Sequence, residues 1–454
     1  MIRSTILTLA VVLNGLTFSN ATAATYSVLR EFSGSDGQGP SGPLVLAGSS
    51  LYGTTYLGGN SNWGTIFTLR TNGTAFSLLR HFEGPTHING AIPSGNLIQS
   101  GNTLFGTTEA GGQFSVGTVF RINTNGSSYS VIRPFGAGNE NSVRPRGGLV
   151  LLGTNLFGTT YGKTTPTGFG TVFRVATNGS AFLALMDFYS FASPGDGRNP
   201  WTGLTLSGTN LYGTTHGGGT SGNGTIFRMG TNGTGFSNIK HFSGSDGANP
   251  RTPVLISGNT LYGMTINGGV AGLGTIFKLS SNGTGYTELK DFPGGSNGAN
   301  PIGNLLLTGN YLYGVTYAGG SFDVGTIFRI HTNGSSFAVI KEFTGADGGN
   351  PVGGLVRSGD SLYGTAYIGG ASGNGLVFSL NLAPVVTVSN PGGFIELTWD
   401  AANGLEYQVQ FKQSPSQTTW IDLDSPIIAS GPTATFTDSS APDEQRYYRV
   451  VLLQ

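Results

Sequence analysis

The sequence predicts an all-β fold: a seven-bladed β-propeller of about 51 residues per blade, closed by its own N-terminal strand, followed by a small antiparallel β-sandwich. Three observations carry this expectation. A phrase of Leu, an aromatic residue and Gly, mostly followed by two Thr, begins at Leu51, Leu104, Leu156, Leu211, Leu261, Leu312 and Leu362. The spacings are 53, 52, 55, 50, 51 and 50 residues, and a period near 50 marks a propeller, solenoid or array. Each repeat also divides into four short β-rich segments. The last repeat lacks its fourth segment, and a spare copy stands at the head of the chain.

The first 23 residues read as a cleavable secretory signal. Arg3 gives a positive start, Ile6 to Leu13 a short apolar run, and Ala21-Thr22-Ala23 a small-residue cleavage motif. The run is too short to span a bilayer, and no later stretch approaches the roughly 20 apolar residues a transmembrane helix needs. The spare segment, TYSVLREF, follows at 25–32.

Residues 43–82 show the repeating unit: segment A, PLVLAG (43–48); B, LYGTTYLGG (51–59); C, GTIFTLRTNG (64–73); D, TAFSLLRHF (74–82). Each is rich in β-branched and aromatic residues and bounded by Gly, Asn or Ser, the strand-and-turn pattern. Between C and D, Asn-Gly recurs at Asn72, Asn125, Asn178, Asn232, Asn282 and Asn333. Asn and Gly both tolerate positive φ, so a type I′ hairpin is expected. The Thr or Ser after each pair also spells a glycosylation sequon, but the hairpin explains the pattern more economically. Gly, at 78 of 454 residues, is too frequent for helices.

The seventh segment C, GLVFSLN (375–381), is followed by no segment D. TYSVLREF resembles SSFAVIKEF (335–343), so the N-terminal strand is expected to complete the last blade and remove two open sheet edges. The domains expected are therefore 1–23 (signal), 24–382 (propeller) and 383–454 (sandwich). In the last, segments such as FIELTWDA (394–401), EYQVQFKQ (406–413) and RYYRVVLL (446–453) alternate apolar and polar residues. The module resembles a fibronectin type III or immunoglobulin-like sandwich, with Trp399 suited to the core. It is short, so a strand is expected to be missing or supplied by the propeller edge.

Net formal charge is zero and only 10% of residues are charged, which argues against a nucleic-acid partner. There is no Cys; a chain of this size buries enough core without disulfides.

The repeats LYGTTYLGGNSNWGTIFTLRTNG (51–73) and LYGTTHGGGTSGNGTIFRMGTNG (211–233) resemble the GloVer (Gloeo/Verruco) repeat of secreted bacterial tandem-repeat proteins. The resemblance covers roughly 25–381. It implies a surface or secreted location and implies no activity.

In a propeller the D-to-A and B-to-C loops share one face, where ligands are expected. Two features fall there. The D-to-A loops carry Asp-Gly or Asn-Gly followed by Asn-Pro, as in Asp196 to Pro200, Asp246 to Pro250 and Asp347 to Pro351. Their oxygens would suit Ca²⁺, but one carboxylate per loop is too few for a six- to eight-oxygen shell, so turn chemistry is preferred and no metal or other cofactor is expected. The position after segment B's Thr-Thr reads Tyr56, Glu109, Tyr161, His216, Ile266, Tyr317 and Tyr367. Tyr, His and Glu at a variable position between constant neighbours suit ligand contact, against the competing reading of packing between blades. Trp201 joins them from a loop on the same face. The loops 83–95 and 136–147 depart most from the repeat and flank Glu109.

No catalytic residues are assigned. His81 and His241 fall at one repeat position in outer strands and read as solvated. No metal-binding His pair, Cys or nucleophile elbow occurs in suitable context. The expected protein is a secreted or cell-surface monomer, non-enzymatic, binding extracellular polysaccharide or protein. A polysaccharide-active hydrolase or lyase using the same face and an adhesin-like spacer are the rival readings.

Overall fold

The computed structural model describes residues 9–10 and 26–453, apart from 137–141, 164–167, 190–194, 383–385, 390–393, 402–404, 415, 432 and 441–445. The fold is all-β. Seven antiparallel sheets follow one another, and sheet n holds the nth Leu-aromatic-Gly phrase. In sheet five, Leu255–Ser257, Thr260–Thr265, Thr275–Ser280 and Thr287–Asp291 pair in chain order. In sheet one the innermost strand is broken into Gln38–Pro40 and Val45–Ala47, both against Ser50–Leu57.

The motif is a packing lock. A Cβ on Gly53 would lie 2.4 Å from the Phe67 ring, and the six later counterparts repeat this; on Gly314 it would lie 2.4 Å from Phe328. The Gly thus exists to admit the Phe of GTIF. The second Thr of Thr-Thr meets the Thr of segment C, as Thr55 with Thr65 and Thr316 with Thr326, each 2.8 Å and buried. In sheet seven both are replaced by apolar residues, Ala366 and Leu376, which also pair.

The N-terminal strand closes the seventh sheet. Tyr26–Glu31 pairs antiparallel with Leu376–Asn381. It also completes a side-chain device. Most sheets gather three rings, such as Phe277 and Tyr286 of sheet five with Phe242 at the end of sheet four, within 5.4–6.4 Å of one another. In sheet seven the rings are Phe343, Phe378 and Tyr26, at 5.4–6.0 Å. A cation caps the set: Lys240 over Tyr286 at 4.2 Å, Lys341 over Tyr26 at 4.6 Å.

Sheets pack face to face around a full circle. Tyr52 and Ile66 of sheet one meet Leu104 and Phe120 of sheet two. The series continues to Tyr313 and Ile327 of sheet six against Leu362 and Phe378 of sheet seven. Tyr363 and Val377 of sheet seven then join Leu51 and Phe67 of sheet one.

The C–D hairpin differs from the type I′ expectation. Only the Gly takes positive φ (Gly73, 81°), and no Asn of the six pairs does. The backbone of Arg70 donates to Thr74 while Gly73 donates to Arg70, the three-residue loop with its αL Gly. Asn instead works through its side chain: Asn72 Oδ1 accepts from the Thr74 amide at 3.1 Å and hydroxyl at 2.6 Å. The Thr or Ser of each apparent sequon is therefore part of the turn.

Residues 386–453 form two further sheets. One holds Val386–Ser389, Ile395–Asp400 and Thr433–Asp438. The other holds Glu406–Lys412 between Ile421–Ile428 and Tyr447–Leu452. Trp399, buried, stands 5.9 Å from Tyr407 in their shared core. Among the described residues no ring strand joins either sheet, so of the two expectations, a missing strand or one supplied by the propeller edge, the second is not met. Contact with the ring is by side chains, with Ala338 and Ile340 of sheet six in the module's core. Within the expected signal only Leu9–Ala10 is described, beside Tyr447–Tyr448; the rest lies outside the described residues. No described helix is long and apolar enough to cross a membrane.

Candidate ligand-binding site

Each sheet begins where its D-to-A loop turns inward. The Asn before the loop Pro sits at positive φ in four loops: Asn199 55°, Asn249 54°, Asn300 55°, Asn350 48°. Asn is one of the few side chains that tolerates this region. Its amide does not cap its own backbone, as a simple Asx turn would. It donates across to the preceding sheet: Asn249 Nδ2 to the His216 carbonyl at 2.8 Å, Asn350 Nδ2 to the Tyr317 carbonyl at 2.8 Å. The loop Asp does behave as turn chemistry. Asp246 accepts from the Ser243 amide at 2.8 Å and from Lys240 Nζ at 2.5 Å; Asp347 repeats this with Thr344 and Lys341. Burial pulls the Asp246 carboxyl up, but the bonds from Lys240 and Ser243 outweigh it and hold it below the ordinary carboxylate value. Among the described residues no group of three or more His, Asp or Glu could hold a metal ion.

The seven inward turns surround an open cavity of about 610 Å³ to which every sheet contributes. Of the sequence-assigned residues, Tyr56, Glu109, Trp201, Tyr317 and Tyr367 line it, as does Ile266. Tyr161 and His216 do not; they back Trp201, with ring centroids at 5.0 and 5.8 Å. The packing reading also holds in part. Tyr367 lies so close to sheet one that a Cβ on Gly39 would be 2.6 Å from its ring.

Sequence reasoning touched a second register only at Trp201 and within the divergent loop 136–147, and did not recognise it as a register. The residue after the loop Pro is Ser41, Ser94, Arg146, Trp201, Arg251, Ile302 or Val352, and all seven line the cavity. The signal was present: the loop signature was read as far as Pro, and the variable residue is the next one. The two registers interleave in sheets three, four and five, where the post-Pro residue meets the post-Thr-Thr residue of the preceding sheet. Arg146 Nη2 contacts Glu109 Oε1 at 2.5 Å. Trp201 packs edge-on to Tyr161 at 82°. Arg251 Nε approaches His216 Nδ1 at 3.4 Å.

These pairs divide the mouth. The arc from sheet two to sheet five is polar, and Trp201 is its hub: Arg146 and Arg251 both stand over its ring, at 4.3 and 4.2 Å. The other arc presents Ile266, Ile302, Val352 and the rings of Tyr317, Tyr367 and Tyr56. Burial, then the nearby Arg251 and Arg198, push the His216 imidazole down to about 4, so it is neutral at pH 7 and can accept from Arg251. Burial and the neighbouring Glu109 raise the Tyr56 phenol.

His81 and its counterparts do more than face solvent. They accept from the B-to-C loop: Asn60 N donates to His81 at 3.3 Å, Val270 N to Asp291 at 2.8 Å, Ser321 N to Glu342 at 2.8 Å.

The chain is similar to solved structures that share its radial sheets. A puromycin-hydrolyzing peptidase of Mycobacterium tuberculosis aligns at 12% identity and TM-score 0.51, over 88% of this chain and 62% of the peptidase. An oligogalacturonate lyase in complex with manganese aligns at 12% identity and TM-score 0.51, over 84% of this chain and 98% of the lyase. PorZ, a surface component of the type-IX secretion system of Porphyromonas gingivalis, aligns at 13% identity and TM-score 0.53, over 88% of this chain and 55% of PorZ. The chain thus spans less than two thirds of the peptidase and of PorZ. At such identities the likeness carries the β-propeller fold alone. No curated protein sequence matches the chain. The Gloeobacter/Verrucomicrobia repeat matches residues 13–168, 137–257 and 219–391. A repeat profile that runs through all seven sheets settles the family: the chain belongs to the Gloeobacter/Verrucomicrobia repeat family.

Proposed function

We propose that this protein is a secreted or cell-surface binding module. Its seven sheets are the blades of one propeller closed by the N-terminal strand. Its C-terminal pair of sheets is an appended sandwich of the fibronectin type III kind. It acts as a monomer and holds an extracellular polysaccharide across the cavity mouth. One observation supports this most: the mouth is lined by two positions per repeat that vary widely, on a scaffold whose Gly and Phe positions are constant and whose facing Thr pair is kept in six of the seven sheets. Packing demands the same residue in every sheet, so variation confined to the mouth marks residues released from packing. Tyr56, Tyr317 and Tyr367 offer flat apolar faces on one arc, as sugar rings require, and Trp201 with its arginines offers polar contact on the other.

The hydrolase reading is less well supported. It calls for two carboxylic acids flanking a bond, and among the described residues lining the cavity Glu109 is the only acidic one, already tied to Arg146.

The test is a glycan array probed with the secreted chain and with a Tyr317→Ala/Tyr367→Ala double variant. Each aromatic contact is worth about 0.5–1.5 kcal/mol beyond burial, so binding of roughly micromolar strength or weaker is expected, lost in the variant. Equal binding by the variant would remove the tyrosine arc from the site. Release of product from a bound glycan would favour the enzyme reading.

A further inference from the structure

The interleaved pairs permit a comparison inside the site. Arg146 and Arg251 occupy the same repeat position, two sheets apart, and each stands over the Trp201 ring. Each meets the post-Thr-Thr residue of the sheet before it. For Arg146 that residue is Glu109, buried and 2.5 Å away, so its charge is answered internally. For Arg251 it is His216, reached through Nδ1 at 3.4 Å. A neutral imidazole accepts a hydrogen bond but brings no negative charge. Among the described residues Arg251 contacts no carboxylate. Of the described charged residues lining the cavity, two are cations and one is an anion. Among the described residues the half-buried mouth therefore carries one unanswered positive charge, fixed against an aromatic plane.

We propose that Arg251 is the anchor for a sugar carboxylate, and that the ligand is an acidic, uronate-bearing polysaccharide rather than a neutral one. This rests on the polysaccharide reading above and adds its chemical class. The Glu109–Arg146 pair is the internal precedent: at the equivalent place the chain itself supplies the carboxylate. A planar guanidinium matches a carboxylate with two parallel N–H donors. A uronate places that group on the ring edge. One sugar can therefore meet Arg251 with its carboxylate while a neighbouring ring lies on the tyrosine arc. A free anion would gain the charge contact without stacking. The loop that sets Arg251 is held by the Asn249 amide on the His216 carbonyl at 2.8 Å, so the cation is positioned before the ligand arrives.

Polygalacturonate and its methyl ester provide the test, since esterification removes the charge and leaves the sugar ring. Titration calorimetry of the full chain should show the acid form bound at least about tenfold more tightly than the ester, about 1.4 kcal/mol. Arg251→Gln should abolish that preference while the thermal midpoint stays near the parent's, and Arg251→Lys should keep part of it. Sodium acetate should compete only weakly. If acid and ester bind alike, the carboxylate assignment falls and the polysaccharide reading stands. If Arg251→Gln retains the preference, the charge is read elsewhere and the anchor is wrong. If neither polymer binds but a neutral glycan does, the acidic class is wrong. If no glycan binds while an acidic peptide does, both readings fall.

Discussion

The interior of a sheet and the mouth of the cavity are built from the same seven repeats, yet they follow opposite rules. Inside, every sheet repeats one solution: a Gly stripped of its side chain to admit a Phe, and two Thr hydroxyls facing each other at 2.8 or 2.9 Å in the first six sheets. At the mouth no two neighbouring pairs agree; carboxylate with guanidinium gives way to ring with ring, then guanidinium with imidazole. The interior is constrained by close packing, where a single added methyl is felt. The mouth faces water, so its side chains are free to answer a ligand.

The contrast can be broken from the inside first. Deleting residues 25–32 should have the largest effect, because it strips sheet seven of its outer strand and of Tyr26. The variant should lose its cooperative thermal transition by circular dichroism; an unchanged melt would mean the strand is ornamental. Gly314→Ala comes next. Its methyl would stand 2.4 Å from Phe328, so a loss of about 1–3 kcal/mol or more is expected in urea unfolding. Gly195→Ala, where a Cβ meets nothing within 4 Å, should stay within about 0.5 kcal/mol.

At the mouth the same measurement should read almost nothing. Tyr317, 39% exposed, replaced by Ala should change stability by less than about 0.5 kcal/mol while weakening glycan binding. A large stability loss would return it to the scaffold.

The loop carboxylates lie between the two regimes. Burial tends to raise the Asp347 carboxyl, but Lys341 and Thr344 hold it below its ordinary value. A group depressed on folding stabilises above its unfolded pKa, and that stabilisation fades as pH falls through the folded value. The protein should therefore weaken progressively below about pH 4, and Asp347→Asn should flatten that acid limb in midpoint-versus-pH curves. The smallest effect is expected of chelation. With Asp246 and Asp347 occupied by lysines and turn amides, EDTA should leave the thermal midpoint in place; a drop restored by Ca²⁺ would overturn that assignment.

The scaffold was legible in sequence because it is periodic. The spare TYSVLREF announced the strand at Tyr26–Glu31, and the Leu-aromatic-Gly phrase announced seven sheets. The site was legible in its segment-B register and, in the post-Pro register, chiefly at Trp201. Arg146 was grouped with Glu109 through the divergent loop 136–147, without their direct pairing, and Arg251 was passed over. Loop residues lack the period-two alternation that tells which side of a strand faces inward. Their direction is set by a residue at positive φ before the Pro, Arg144 or Asn249, and for Asn249 by its bond to the preceding sheet, neither of which spacing reveals. The hairpin was misread for a similar reason: Asn-Gly suits more than one turn, and the Thr hydroxyl on Asn72 decides which.

The strand that closes the ring also orders events in time. Tyr26 gives its hydroxyl to the Asp347 carbonyl, 321 residues along the chain. During synthesis the strand Tyr26–Glu31 has no partner until the last repeat arrives. Sheets one to six can each assemble locally, but the seventh waits for the two most distant parts of the chain to meet. The chain entropy of that meeting grows only with the logarithm of the intervening length, and falls further once the earlier sheets have curved the chain toward itself. Closure is therefore a late step, and an unfinished ring exposes two unpaired edges. Proteases and chaperones would distinguish a nearly complete molecule from a finished one at this single seam.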